Sequence, residues 1–274
     1  IFFLLAGLYF LFVGFVKPKY FFLTAISFAL TIYTYAAYTL YTPLLIIVIG
    51  LFYRKELLKF KRQMLLAGFI FIILVLPFFI LKKTTATVRF SQIGLLQNIN
   101  SIGITNAINE QRGSCLTMYP SVVCKAVNNK AVAFGSKFIH NYLTHFSVNF
   151  LYINGSVTQF SILPERGVSF AFQAILLVVG IVSLFKQKNR HGMFFGLLLL
   201  LSPTPAALTD ASHYSRSSMM LPFLIVIESL GGYSILRFLA QLKFPIVRFS
   251  LMSFGIAIFT FTVEVTKAPT PTLI

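Results

Sequence analysis

The amino-acid sequence predicts an all-α polytopic membrane protein, with about eight transmembrane helices and one long extracytoplasmic loop containing an interfacial helix. Three observations lead there. Hydrophobic residues fill 57% of the 274 positions and charged residues only 11%, against about 25% charged in soluble domains, so a water-soluble fold could not cover the apolar surface. The apolar residues come in runs of membrane-crossing scale, and Lys and Arg sit in short clusters between those runs. A net charge of +17 could by itself suggest nucleic acid, but this placement points to a membrane and to lipid partners, with no nucleic acid expected.

The first run, residues 1–16, is closed by Lys17-Pro18-Lys19. Residues 20–53 carry no charge. As one helix they would be about 51 Å long, too much for one crossing of about 30 Å, so they divide into two spans near residues 38–43, with Pro43 in the first turn of the second. A basic loop of Arg54, Lys55, Lys59, Lys61 and Arg62 leads into the run 64–81. Further runs cover 168–185, 193–201, 219–236 and 249–263, the 193–201 run being the shortest. The expected organisation is four spans in 1–83, a loop region in 84–167, four spans in 168–263 and a tail in 264–274. The chain opens inside an apolar run, which suggests that sequence precedes it.

Alternate short loops hold most of the 23 basic residues: Lys17 and Lys19, the five between Arg54 and Arg62, Lys186, Lys188 and Arg190, and Arg237, Lys243 and Arg248. By the positive-inside rule these face the cytoplasm of a multi-pass plasma (inner) membrane protein, leaving the 84–167 region and residues 202–216 on the other face.

Within the long loop, Ala131, Phe134, Phe138, Ile139, Tyr142, Leu143 and Phe146 recur mostly at spacings of three and four. This is the pattern of an amphipathic helix, which beside a bilayer lies in the interface, as plain packing of the loop or as a lid over a lipid-facing cleft. His140 and His145 match no zinc pattern and are expected at the interface. Cys115 and Cys124, the only cysteines, are compatible with a disulfide closing a small loop or with two unpaired thiols. Asn154-Gly155-Ser156 reads as a glycosylation sequon or simply as a glycine turn.

The segment 202–216 concentrates chemistry. Its prolines end one helix, and Asp210, His213 and Arg216 are spaced so that neighbours share a face if the next helix begins there. Cationic side chains beside free N–H groups at a helix start suit a phosphate; the alternative is ordinary interfacial charge flanking a span. Asp210, the only Asp, could orient His213 or hold a divalent cation; no other cofactor is implied.

At these residues the sequence resembles the GT-C superfamily of multi-span glycosyltransferases, in particular the bacterial relatives of protein O-mannosyltransferases and of the aminoarabinose transferase. Three stretches carry the likeness: Tyr33-Thr34-Tyr35 through Tyr38-Thr39-Leu40-Tyr41-Thr42-Pro43; Asn141-Tyr142-Leu143-Thr144-His145-Phe146-Ser147 leading to Phe150-Leu151-Tyr152-Ile153-Asn154-Gly155; and Pro205-Ala206-Ala207-Leu208-Thr209 with His213, Arg216 and Leu221-Pro222. The resemblance implies transfer of a sugar from a polyprenyl-phosphate-linked donor to an acceptor hydroxyl on the extracytoplasmic face, with Asp210, His213 and Arg216 at the lipid phosphate. In the family the catalytic acid sits in the first outer loop, ahead of the first matching stretch, so it is expected upstream of this chain. Glu110, Glu165 and Glu264 match no motif, Glu56 lies on the cytoplasmic side, and Glu228 falls inside a span, where it suggests packing or a pathway. A transporter or flippase, and a polymerase or ligase of lipid-linked glycans, are the competing expectations.

Overall fold

The computed structural model describes residues 1–81, 102–155, 167–187, 189–209 and 214–241. These are mostly helical, with no strand among the described residues. In chain order the helices are α1 (Phe2–Gly14), α2 (Phe21–Thr34), α3 (Tyr38–Phe52), α4 (Arg54–Leu57), α5 (Lys61–Leu81), α6 (Ile102–Leu116), α7 (Ser121–Val127), α8 (Lys130–Thr144), α9 (Gln173–Gln187), α10 (Arg190–Leu201), α11 (Thr204–Ala207), α12 (Tyr214–Ser217) and α13 (Leu221–Ala240). A π-helical turn, Asn149–Ile153, follows α8.

Among the described residues two helical segments are long and apolar enough to cross a membrane: Arg54–Ile80, which runs through α4 into α5, and Ser218–Ala240, which contains α13. α1, α3 and α9 are apolar but shorter, at 13, 15 and 15 residues, or about 20 Å of helix, less than a hydrocarbon core. The run expected at 249–263 lies outside the described residues.

The chain forms two compact units, one of Ile1–Ser147 with Leu200–Met219 and one of Val148–Leu199 with Met220–Ile274. In the first, α1 and α2 pack antiparallel around large-into-small contacts. A Cβ at Gly7 would strike the Phe28 ring, and one at Gly14 would stand 2.7 Å from the Phe21 ring. α2 packs against α5 through Ala29, Ile32, Val75 and Phe78. Pro77 lacks the N–H that Ile73 would use one turn back. Beside that gap the Tyr33 hydroxyl donates to the Leu74 carbonyl at 2.6 Å, its ring 5.3 Å from that of Phe78. The other side of α5 leaves Leu65, Phe69, Ile72, Leu76 and Ile80 exposed, as a helix facing lipid would.

The break between α2 and α3 falls at residues 35–37, a turn earlier than the expected 38–43, so Pro43 is the sixth residue of α3 rather than part of its first turn. In the 84–167 region the amphipathic helix expected over 131–150 is α8, ending at Thr144 and capped by Asn129, whose side chain accepts from Val132 N at 2.9 Å. α6 and α7 precede it where only loop was expected, and a disulfide joins Cys115 to Cys124, Cα atoms 5.6 Å apart.

In the second unit α9 and α13 meet backbone to backbone. A Cβ at Gly180 would collide with the Ile227 carbonyl, and one at Gly231 with the Leu176 carbonyl. Ser183 Oγ donates to Ser234 Oγ at 2.8 Å, and Ser234 Oγ to the Leu230 carbonyl at 2.9 Å. Small residues with a bridging hydroxyl are the means by which helices associate in lipid, where no hydrophobic force drives them together. Gly155, at φ 65°, makes the turn after the π-helical segment.

Candidate functional site

The first turns of α3 carry Tyr38, Tyr41 and Thr42 at i, i+3 and i+4, one helix face. All three are buried, Tyr41 and Thr42 completely. The Tyr38 and Tyr41 rings stand 6.4 Å apart, edge to face. None of the three hydroxyls has a hydrogen-bond partner among the described residues. The neighbouring helix handles its hydroxyls otherwise: on α2, Thr31 Oγ1 donates to the Ser27 carbonyl at 2.8 Å and Thr24 Oγ1 to Tyr20 at 3.3 Å. An unsatisfied buried hydroxyl costs about 1–3 kcal/mol, so three on one face are a notable concentration of unused capacity.

α8 buries one side. Along it and just past its end, Phe134, Phe138, Tyr142 and Phe146 form a continuous aromatic ladder with centroid spacings of 6.5, 6.1 and 5.4 Å. Tyr142 ends its reach at the Leu200 carbonyl, 2.6 Å away at the C-terminus of α10, where helical carbonyls lack internal partners. Burial pushes that phenol above its ordinary pKa. On the same side of the helix, beside the ladder, Asn141 and His145 are wholly buried, which corrects the expectation that His145 lies at the interface; His140 is exposed. The burial follows from two bonds. Asn141 Nδ2 donates to the Ala207 carbonyl at 3.0 Å, and His145 Nδ1 lies 2.7 Å from the Asn141 carbonyl. A carbonyl only accepts, so Nδ1 carries a proton. Asn141 Oδ1 finds no partner among the described residues.

α11 is the common contact. This single turn, started by Pro203 with Pro205 in its first turn, packs against α3, α8 and α12. Ala206 and Ala207 are buried, and such small side chains let three elements approach the turn closely. Arg216, on α12, is half-buried, and its Nη1 is fully enclosed without a hydrogen-bond partner among the described residues. An enclosed guanidinium nitrogen with an unused donor suits an incoming anion, and a phosphate oxygen fits its planar fork. Asp210 and His213 lie outside the described residues. Among the described residues no group of three or more His, Cys, Asp or Glu could hold a metal ion.

The structure thus gathers around α11 the helices α3, which carries Tyr38, Tyr41 and Thr42, α8, whose Asn141 bonds Ala207, and α12, which carries Arg216. Sequence reasoning singled out Arg216 but gave Asn141 and Thr42 no role. The available signal was three polar side chains on one face of an otherwise apolar run.

The second unit has its own buried polar groups. Glu228, in the middle of α13, is 3% exposed, and neither carboxylate oxygen has a partner among the described residues. The Tyr152 hydroxyl is likewise unpartnered, its pKa pushed up to about 12 by burial and then by the negative charge of Glu228. Gly167 lies against the backbone of Tyr152, and Val168 N and Ser169 N donate to the carbonyls of Phe150 and Leu151 at 3.3 and 2.7 Å, holding the π-helical turn in place.

No protein family, curated protein or solved structure matches this chain in the three comparisons.

Proposed function

We propose that this chain is part of a polytopic plasma-membrane glycosyltransferase that moves a sugar from a polyprenyl-phosphate-linked donor to an acceptor on the extracytoplasmic face. The observation that carries the proposal is the assembly around α11: the three stretches with GT-C character each contribute residues to one unit, and those residues keep unused hydrogen-bonding capacity. The enclosed guanidinium of Arg216 supplies the charge that a departing lipid phosphate needs as negative charge develops on it. Tyr38, Tyr41, Thr42 and Asn141 supply uncharged donors and acceptors of the kind that sugar hydroxyls require. Asp210 and His213 would join Arg216 at the phosphate, with Asp210 also able to hold a divalent cation. The shorter helices α1, α2, α3, α9 and α10, together with the apolar run 249–263, would act as spans beside the two long ones, tilted or completed by flanking residues, giving about eight in all.

The test is transfer of radiolabelled sugar from polyprenyl phosphate by the full-length protein in proteoliposomes. Arg216→Ala is expected to lower transfer at least about 100-fold with membrane insertion unchanged, the scale of losing one electrostatic contact to the reacting group. A fully active Arg216→Ala protein would remove Arg216 from the mechanism.

Glu228 favours a second reading, a transporter or flippase, because an unpartnered carboxylate inside a span marks a pathway by default. That reading requires the labelled lipid to cross the bilayer without cleavage of its sugar, and requires Glu228→Gln to stop the crossing.

A further inference from the structure

The hairpin of α6 and α7 has a composition unlike the polar region around it. Between the cysteines stand Leu116, Met118, Tyr119, Val122 and Val123. The backbone is closed tightly: Met118 N and Tyr119 N both donate to the Cys115 carbonyl, at 3.0 and 2.9 Å. The Cys115–Cys124 disulfide ties the two helices, and Cys124 is buried. Below it Arg112 clasps the far end of α7, its Nη2 donating to the Asn128 carbonyl at 2.7 Å. A hairpin pinned at both levels cannot fold its tip inward. Met118 is 80% exposed, Val122 77%, Tyr119 59%, and Leu116 and Val123 nearly half.

A contiguous apolar tip of this kind marks an interaction surface. Its occupant is indicated by charge and by location. In residues 102–155 the acid Glu110 stands against Arg112, Lys125, Lys130 and Lys137, and the three lysines are exposed. Apolar side chains and a tyrosine at the tip, with lysines just behind, match the layering of an acyl boundary under anionic headgroups. The hairpin also belongs to the same compact unit as α5, whose exposed apolar side suits lipid, so a bilayer is within reach of this unit.

We propose that the disulfide-closed hairpin tip, residues 115–124, inserts into the headgroup region of an anionic bilayer as a contact separate from the membrane-crossing helices. It rests on the reading of this chain as a membrane protein. It does not depend on the glycosyltransferase assignment.

The chain contains no Trp, so a single introduced indole reports cleanly. Tyr119→Trp and, as a separate control, Phe69→Trp on the exposed side of α5, are each reconstituted into vesicles of equal parts phosphatidylcholine and phosphatidylglycerol, with and without brominated acyl chains. Insertion predicts a blue-shifted indole at position 119, with roughly a twofold loss of emission on bromolipid, most from bromine placed near the glycerol, as fits a depth of about 5–10 Å. Adding Val122→Asp to the same variant should restore most of that emission. Two results would overturn the proposal while the position-69 control is quenched: a water-like indole at 119 open to acrylamide, or a blue-shifted one untouched by bromolipid, which would put protein, a second copy included, on the tip. Failure of the position-69 control would instead overturn the membrane reading on which the proposal rests.

Discussion

The Ser183–Ser234 contact between α9 and α13 and the cluster around α11 set polar side chains among apolar ones, and they treat them in opposite ways. Between α9 and α13 the Ser183 hydroxyl donates to Ser234, which donates onward to a helical carbonyl, while Gly180 and Gly231 bring the backbones into contact. Around α11 the hydroxyls of Tyr38, Tyr41 and Thr42, the side-chain Oδ1 of Asn141 and an Arg216 nitrogen are enclosed without such partners among the described residues. Satisfied polar groups at a close-packed seam contribute to holding helices together. Enclosed groups with unused capacity cost stability, and such a cost is tolerated where a ligand completes the bonds.

The comparison can be broken most forcefully at Gly231. Gly231→Leu would drive a side chain into the Leu176 carbonyl, and is expected to cost about 3 kcal/mol or more by overpacking, seen as loss of folded protein in a detergent unfolding titration. Second in size is Arg216→Lys, which keeps the charge but loses the planar fork. Sugar transfer should fall roughly tenfold while the unfolding midpoint stays in place, placing it between wild type and Arg216→Ala. A matching drop in stability would make Arg216 a structural residue and erase the contrast.

Smaller effects sharpen it. Ser183→Ala should destabilise the second unit by about 0.6 kcal/mol, the typical worth of a polar contact between membrane helices. Tyr41→Phe should raise stability rather than lower it, because the hydroxyl removed is buried with no partner among the described residues, yet should weaken donor binding. The smallest effect concerns pH. Tyr152 has its pKa raised from 10.0 to about 12, so the fold favours the neutral phenol. Its contribution is fully present below pH 10 and is lost as pH rises from 10 towards 12, because the unfolded chain ionises first. Thermal melts across the alkaline range should show this decline, and Tyr152→Phe should make it shallower.

Much of the helix layout was legible because its signals are local. The Lys17-Pro18-Lys19 cluster ends α1, the uncharged stretch 20–53 exceeds one crossing and breaks, and the spacing of Phe134, Phe138, Tyr142 and Phe146 announces α8. α6 was missed because polar residues surround it on all sides, leaving no apolar stripe to read. Span length was overread because an apolar run may continue into turns, as at 168–172, where α9 starts only at Gln173, whose side chain accepts from Phe170 N.

The candidate site divides along the same line. Composition, charge placement and periodicity determined that this is a helical protein with apolar, membrane-scale segments and marked Arg216, while the family resemblance marked the tyrosine segment of α3. Tertiary structure alone decided that Asn141 and His145 are buried and that Asn141 is bonded to Ala207, 66 positions away. The physical reason is range: a helix forms from bonds four residues apart, whereas the satisfaction of a buried hydroxyl or guanidinium depends on partners that only packing brings near.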